Sequence, residues 1–358
     1  MGWTITIGRV VGTEIKVHLT FFILVAFWAM AGYQAGGPAG ALAACLLLFA
    51  LFACVVFHEF GHILMAGRFG VRTPDVILLP IGGVARLERI PDEPRQELLI
   101  ALAGPAVTLA IVIVLYALLA LSGQEPRLWG LRPDGPFLET LMRVNLYLLI
   151  FNLFPAFPMD GGRVLRALLA SKLGLVPGTR IAARLGQASA VLAGFYGLTA
   201  GEPVLVLVAL FVFLGAGAEA SAVETRVAGA GLNAAHMMVT HFRTIPVHAT
   251  LADAVALLLS GEQREFPVVD NLGRVEGILT RDHIIKGISQ RGQGSTVGEA
   301  MAAQAPAVAP TLGFQEALER LRASGLPALP VVDAGGQLVG LLTLDNITDL
   351  LLVRRARA

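Results

Sequence analysis

Residues 17–58 read VHLTFFILVAFWAMAGYQAGGPAGALAACLLLFALFACVVFH, 42 residues without one Asp, Glu, Lys or Arg. A helix that crosses a bilayer needs about 20 predominantly apolar residues. This run is long enough for two, and Gly36-Gly37-Pro38 divides it near the middle, since glycine loosens a helix and proline interrupts it. Further charge-free runs cover 98–124, 144–159, 185–201 and 203–218. Together they predict about six spans, near 17–35, 39–66, 97–121, 138–156, 185–201 and 203–221.

The whole composition agrees. Of 358 residues, 55% are hydrophobic and only 15% charged, and the mean hydropathy is +0.71. Soluble domains carry about 25% charged residues, so this balance argues against a disordered chain and against an ordinary cytosolic enzyme. A net charge of +1 creates no field that would recruit nucleic acid. Cys45 and Cys54, nine residues apart in apolar sequence, form neither a disulfide framework nor a common zinc motif. The first sixteen residues lack the basic start and cleavage site of a removable signal peptide. Trp3, Ile5 and Ile7 alternate with polar residues there and predict a short strand or hairpin at the interface.

Loop charges predict the orientation. Arg68, Arg72, Arg86, Arg89 and Arg95 join spans 2 and 3, and Arg163, Arg166, Lys172, Arg180 and Arg184 join spans 4 and 5. The 3–4 loop has only Arg127 and Arg132, and the 1–2 and 5–6 connections have no Lys or Arg. Because positive loops stay inside, both termini are expected in the cytoplasm of a multi-pass protein, with the plasma membrane the expected location.

After residue 225 the apolar runs shorten and an internal repeat appears. Thr250-Leu251 recurs as Thr311-Leu312 and Ala256-Leu257 as Ala317-Leu318, an offset of 61. Pro267-Val268-Val269-Asp270 recurs as Pro330-Val331-Val332-Asp333, and Gly277, Thr280 and Asp282 as Gly340, Thr343 and Asp345, an offset of 63. A two-residue insertion between the two sets is the reading these offsets suggest. Each copy is expected to run helix, strand, Gly turn, strand, helix. The fold class is therefore a polytopic α-helical membrane domain, residues 1–225, followed by a soluble α/β tandem module with repeats at 236–290 and 297–353.

Within the second span lies His58-Glu59-Phe60-Gly61-His62, the pattern His-Glu-x-x-His. Residues i and i+4 share a helix face, so two imidazoles can bind one zinc ion, and the adjacent Glu can act as general base on an activated water. Ionisable groups inside a bilayer cost at least about 2.5–3.5 kcal/mol each, which makes this cluster a functional-site candidate. A third ligand is needed, with a position left open for water. Asp160, in Asn152-Leu153-Phe154-Pro155-Ala156-Phe157-Pro158-Met159-Asp160-Gly161-Gly162, is the candidate. Pro155 and Pro158 break the helix and Gly161-Gly162 permits a tight turn. On the residues alone Asp160 is either such a ligand or a simple turn residue.

The two segments together resemble the signature motifs of the site-2 protease family of intramembrane zinc metalloproteases. The resemblance implies one Zn2+ per chain and hydrolysis of a peptide bond in or near a substrate's transmembrane segment. By position, His58, His62 and Asp160 would be the metal ligands and Glu59 the catalytic base. Asn152 would either donate a hydrogen bond to the substrate or oxyanion, or join two helices. Ile77–Ala85 resembles the family's extended segment beside the active site, where it either pairs with substrate or packs the bundle. Ala103-Gly104-Pro105 resembles another family feature, and small residues there allow close helix packing. His18 is either a further ligand or gate, or an interfacial histidine bonded locally.

The two repeats resemble a tandem CBS pair, a module that often binds adenine nucleotides. By that resemblance Thr280 and Thr343 would face phosphate, with Asp282 and Asp345 beside them as further cofactor-binding candidates. The family's ribose carboxylate lies three residues after the Thr; here His283 and Asn346 stand there, so the pair is either a nucleotide sensor or a dimerisation or docking module. The expected partners are a transmembrane protein substrate, the lipid bilayer, an adenine nucleotide and a second copy through the CBS pair. The alternative function is a transporter or channel gated by the CBS pair, for which the i, i+4 histidine spacing has no evident use.

Overall fold

The computed structural model describes residues 3–80, 82–86, 93–123, 126–130 and 135–357. Ile81, Arg89 and Arg132 lie outside the described residues. Two compact units are present, Met1–Val223 and Glu224–Ala358.

The first unit opens with the expected hairpin, β1 (Thr4–Val10) and β2 (Thr13–His18), paired antiparallel around Val11 and Gly12 at positive φ. The chain then enters α1 (Thr20–Arg68). Gly36 (φ −152°, ψ 22°) and Gly37 (φ 64°, ψ −151°) leave the helical region. The two halves of α1 fold back on each other there. A Cβ placed on Gly40 would lie 2.3 Å from the Gly32 carbonyl oxygen, and the Phe21 and Phe52 rings meet edge to face at 4.6 Å. After α1 come β3 (Asp75–Leu79) and β4 (Gly82–Arg86), which complete a four-stranded sheet in the order β1-β2-β3-β4. β2 and β3 run parallel, Glu14 opposite Asp75. Ile15, Val17, Val76 and Leu78 from this sheet pack with Phe21 and Ile63 of α1.

Five further helices complete the unit: α2 (Pro94–Leu121), α3 (Phe137–Asn152), α4 (Asp160–Leu173), α5 (Leu175–Ala200) and α6 (Pro203–Ala228). Among the described residues, three helices are long and apolar enough to cross a membrane: α1, α2 and α6. The break at Gly36-Gly37 divides α1 into stretches of 16 residues (20–35) and 31 residues (38–68). The predicted span at 138–156 corresponds to the 16-residue α3, which stops at Asn152, before Pro155. The one at 185–201 corresponds to α5, which begins ten residues earlier and includes Arg180 and Arg184. Large apolar side chains point outwards, among them Ile23, Phe27, Leu192, Phe195 and Leu207, each at least 65% exposed. An apolar exterior of this kind needs an apolar solvent.

The second unit contains α7 (Ala234–Met237), β5 (Ile245–Pro246), α8 (Leu251–Leu259), β6 (Glu265–Val269), β7 (Val275–Thr280) and α9 (Arg281–Arg291). α10 (Val297–Ala300), β8 (Ala302–Ala303), α11 (Phe314–Ser324), β9 (Ala328–Val332), β10 (Leu338–Thr343) and α12 (Leu344–Arg357) follow. The expected helix–strand–strand–helix order is therefore present twice. In each copy one aspartate builds the hairpin turn. Asp270 Oδ1 accepts from the Leu272 and Arg274 amides, and Asp333 Oδ1 from those of Gly335 and Gln337, all at 2.8–2.9 Å.

The register of the repeat differs from the sequence reading. α8 starts at Leu251 after its cap Thr250, and α11 starts at Phe314 after Gly313. The buried pairs Leu251/Phe314 and Ala254/Ala317 share the 63-residue offset of the strands. No insertion separates helix from strand; Thr-Leu and Ala-Leu recur at 61 without occupying equivalent positions.

The α1 turn supplies a test. Gly40→Val should lower the thermal stability of the detergent-solubilised protein by about 1–3 kcal/mol, because the new Cβ meets backbone that has no room to yield. Gly67→Ala, at a helical site with nothing within 4 Å of a Cβ, should not lower it.

Candidate metal centre

The second half of α1 carries His58 and His62 one turn apart, and both are buried. Their Nε2 atoms are 3.1 Å apart. Asp160 is the first residue of α4, and its Oδ2 lies 3.1 Å from His58 Nε2 and 3.2 Å from His62 Nε2. The three atoms thus form a nearly equilateral triangle. Tetrahedral zinc with bonds of about 2.0–2.1 Å has ligand edges of about 3.3 Å, so the triangle matches one face and leaves the fourth vertex open. Two imidazoles and a carboxylate are also the donor types zinc takes. Among the described residues this is the one His/Cys/Asp/Glu group with metal-binding geometry.

The outer contacts orient the rings. His62 Nδ1 lies 2.7 Å from the Ile100 carbonyl oxygen on α2. A carbonyl only accepts, so Nδ1 carries the proton and Nε2 presents its lone pair to the triangle. His58 Nδ1 pairs with Thr108 Oγ1 at 2.8 Å, one helix turn beyond Gly104 on α2. A Cβ on Gly104 would fall 2.2 Å from His62 Nε2 and 2.7 Å from His58 Nε2. Ala103 contributes its backbone, with its carbonyl oxygen 2.6 Å from where a Gly61 Cβ would stand. The small residues of Ala103-Gly104-Pro105 therefore do more than bring helices together: Gly104 leaves the volume the two imidazoles occupy.

Glu59 is partly buried and faces β4. A Cβ on Gly83 would lie 2.8 Å from Glu59 Cγ and 3.0 Å from Oε1, so the strand backbone passes directly beside this carboxyl. β4 is an edge of its sheet, with β3 on one side. Asn152 is the last residue of α3, at the start of the loop that delivers Asp160. That loop is anchored by buried Ala156, Phe157 and Met159. Gly161 and Gly162 do not form the expected turn; they lie in the first turn of α4. Their missing side chains let the helix rest on loop backbone, where Cβ atoms would come within 2.2–2.5 Å of Phe154 O and Ala156 C. His18 bonds locally, Nδ1 to Thr20 Oγ1 at 2.8 Å. Thr108 was missed in the sequence, although it is a rare polar residue in the charge-free run 98–124.

In the second unit a cavity of about 820 Å³ is lined by residues that include Val239, Phe242, Glu265, Arg281, Thr343 and Asp345. Thr280 and Asp282 are not among the lining residues. Thr280 is buried, and its hydroxyl caps α9 by accepting from the His283 amide at 3.2 Å. The Asp282 side chain is 86% exposed, 3.7 Å from Arg281 Nε. Thr343 also accepts from a helix amide, that of Asn346, at 3.1 Å, while Asn346 Nδ2 donates to Met237 O. Burial, and then the neighbouring Asp345 charge, push the Glu265 carboxyl above the ordinary carboxylate range.

Apolar helices and a His-His-Asp triangle flanked by Glu59 define the class: a membrane metalloprotease. Comparison with known proteins names the family. The peptidase family M50 model matches residues 46–128 and 135–193, and the CBS domain model matches 234–290 and 297–353. A zinc metalloprotease of Methanocaldococcus jannaschii is 33% identical over 80% of this chain and 80% of its own. Rip3 of Mycobacterium tuberculosis is 29% identical over 98% of this chain and 93% of its own. The solved site-2 protease from Methanocaldococcus jannaschii is 38% identical, covering 61% of this chain and 95% of that one, with a TM-score of 0.47. The chain belongs to peptidase family M50, as a site-2 type zinc metalloprotease with tandem CBS domains.

Three outcomes follow. Gly104→Ala should displace both rings and weaken zinc retention at least tenfold, and Thr108→Val should weaken it by about 10–100-fold, measured by chelator competition. In the second unit, folding raises the Glu265 pKa, so the folded state holds that proton more tightly than the unfolded chain. Stability is then fully present below the ordinary carboxylate pKa and falls as pH rises through the folded value. Asp345→Asn should shrink that fall, read as the unit's unfolding midpoint against pH.

Proposed function

We propose that this protease hydrolyses a peptide bond in or near a substrate's transmembrane segment, with His58, His62 and Asp160 holding one zinc ion and Glu59 as general base. The observation that carries the reading is the triangle of ligand atoms, 3.1–3.2 Å on each side, with Glu59 the residue after His58 on the same helix. Bound zinc supplies Lewis acidity that polarises the scissile carbonyl and makes water more acidic. Glu59 takes the proton of the attacking water as its oxygen bonds to the carbonyl carbon. It passes that proton to the leaving nitrogen as the C–N bond breaks. Asn152 donates to the substrate backbone or the developing oxyanion.

A transmembrane helix hides its peptide bonds in i→i−4 hydrogen bonds, so the substrate must unwind to reach the site. The edge of β4 that is unpaired among the described residues offers it backbone partners as an added strand, and the nearness of Gly83 to Glu59 supports that placement. The two lengths of α1 with α2, α3, α5 and α6 make up six spans, and the arginines of the 2–3 and 4–5 connections support cytoplasmic termini in a plasma-membrane protein. The CBS pair regulates cleavage from the cytoplasm and can pair two copies. An adenine nucleotide occupies the cavity beside Thr343 and Asp345, while Thr280 and Asp282 serve the helix start.

The decisive experiment uses purified protein and a model transmembrane substrate. Glu59→Gln should reduce cleavage by at least about 10²-fold while zinc content stays at one per chain. His58→Ala and Asp160→Asn should lose zinc. Full activity in Glu59→Gln overturns the mechanism. For the tail, AMP, ADP or ATP should raise the unfolding midpoint and Asp345→Ala should abolish that rise; no shift at millimolar nucleotide leaves the pair a docking or dimerisation module.

A further inference from the structure

Arg166, on α4 six residues after Asp160, is 1% exposed and is not used by the chemistry above. Its guanidinium is held on two edges and one face. Nε donates to Glu97 Oε1 at 2.7 Å, with Nη2 in ion-pair contact 2.5 Å from the same oxygen, and Nη1 donates to Glu219 Oε1 at 2.5 Å. The plane also sits 5.1 Å from the centre of the buried Phe157 ring. Three elements that build the metal centre, and α6 beside them, meet on this one side chain. Glu97 is in the first turn of α2, three residues before Ile100, whose carbonyl holds His62. Phe157 belongs to the loop that delivers Asp160. Glu219 is on α6, and Arg166 itself is on the helix that Asp160 begins.

A guanidinium is planar and forked, so contacts on two edges and one face fix orientation as well as distance. Burying one arginine with two carboxylates in an otherwise apolar packing region is poor economy for stability alone, since apolar residues of similar volume would serve as well. The centre does need α4 placed to within a fraction of an ångström, because one carboxylate oxygen must reach two histidine nitrogens at once.

Resting on the zinc-protease reading, we infer that Arg166 is a positioning residue: through Glu97, Glu219 and Phe157 it sets the placement of α4, and thereby brings Asp160 to the histidine pair. It touches neither substrate nor metal. Lysine would keep the charge but has neither the planar fork nor a face to lay on Phe157, so it would not fix the orientation of the two carboxylates and the ring together.

The test measures zinc dissociation by chelator competition, together with kcat and KM, in the full-length detergent-solubilised protein. Arg166→Lys should release zinc at least tenfold more readily and lower kcat with KM unchanged, as expected when an outer contact of a ligand is lost. Glu219→Gln, at the more exposed end of the network, keeps shape and should give a smaller loss in the same direction. The double variant should be no worse than Arg166→Lys alone, because both act through one contact. Zinc release and kcat within twofold of the parent in both single variants, with only the unfolding midpoint lowered, overturns the inference. Should Arg166→Lys fail to fold, Glu219→Gln decides by the same criterion. If the unaltered protein binds no zinc, the protease reading fails and this inference with it. If it binds zinc and the variants hold it equally well, this inference alone fails.

Discussion

The structure depends on the absence of one side chain. His58 and His62 turn their rings towards α2, and at Gly104 that helix has no Cβ to meet them. A methyl group there would overlap both Nε2 atoms. Without that gap α1 and α2 would stand further apart, Ile100 and Thr108 would lose the imidazoles, and the rings would have no reason to face Asp160. Polar atoms in an apolar setting must find partners within the protein. The centre meets that demand by giving each histidine one nitrogen for α2 and one for the shared triangle.

Much of this was legible in the sequence because it is written locally. The charge-free runs, the Gly36-Gly37-Pro38 division, the His58–His62 spacing and the aspartate-led turns of the repeat all depend on a few neighbouring residues. What escaped was of three kinds. The Ile100 carbonyl is backbone and has no sequence signature. The glycines at 161 and 162 permit a turn and also permit close packing, and only the folded loop beneath α4 selects between them. The register of the repeat was misjudged because Thr-Leu and Ala-Leu pairs are common in an apolar chain; burial at 251/314 and 254/317 identifies the equivalent positions where identity does not.

In the second unit one repeated pattern serves two different ends. Both threonines that end the second strands accept a helix amide, so each hydroxyl has a structural duty first. Only Thr343 also borders the cavity, with Asp345. The halves are alike in backbone and unlike in what they offer a ligand.

The parallel pairing of β2 with β3 carries a further meaning. The chain leaves β2, passes through both lengths of α1 and returns to lie beside the strand it left, with Lys16 Nζ bonded to Asp75 Oδ2 at 2.8 Å across the join. The sheet therefore ties the two ends of the α1 hairpin together. Ile63, next to His62, packs into that same sheet. Strand pairing moves only in whole residues, so the two histidines are indexed against the sheet in steps of about 3.3 Å. The sheet acts as a clasp that holds the two ends of the α1 hairpin, and the histidines beside Ile63, in one register.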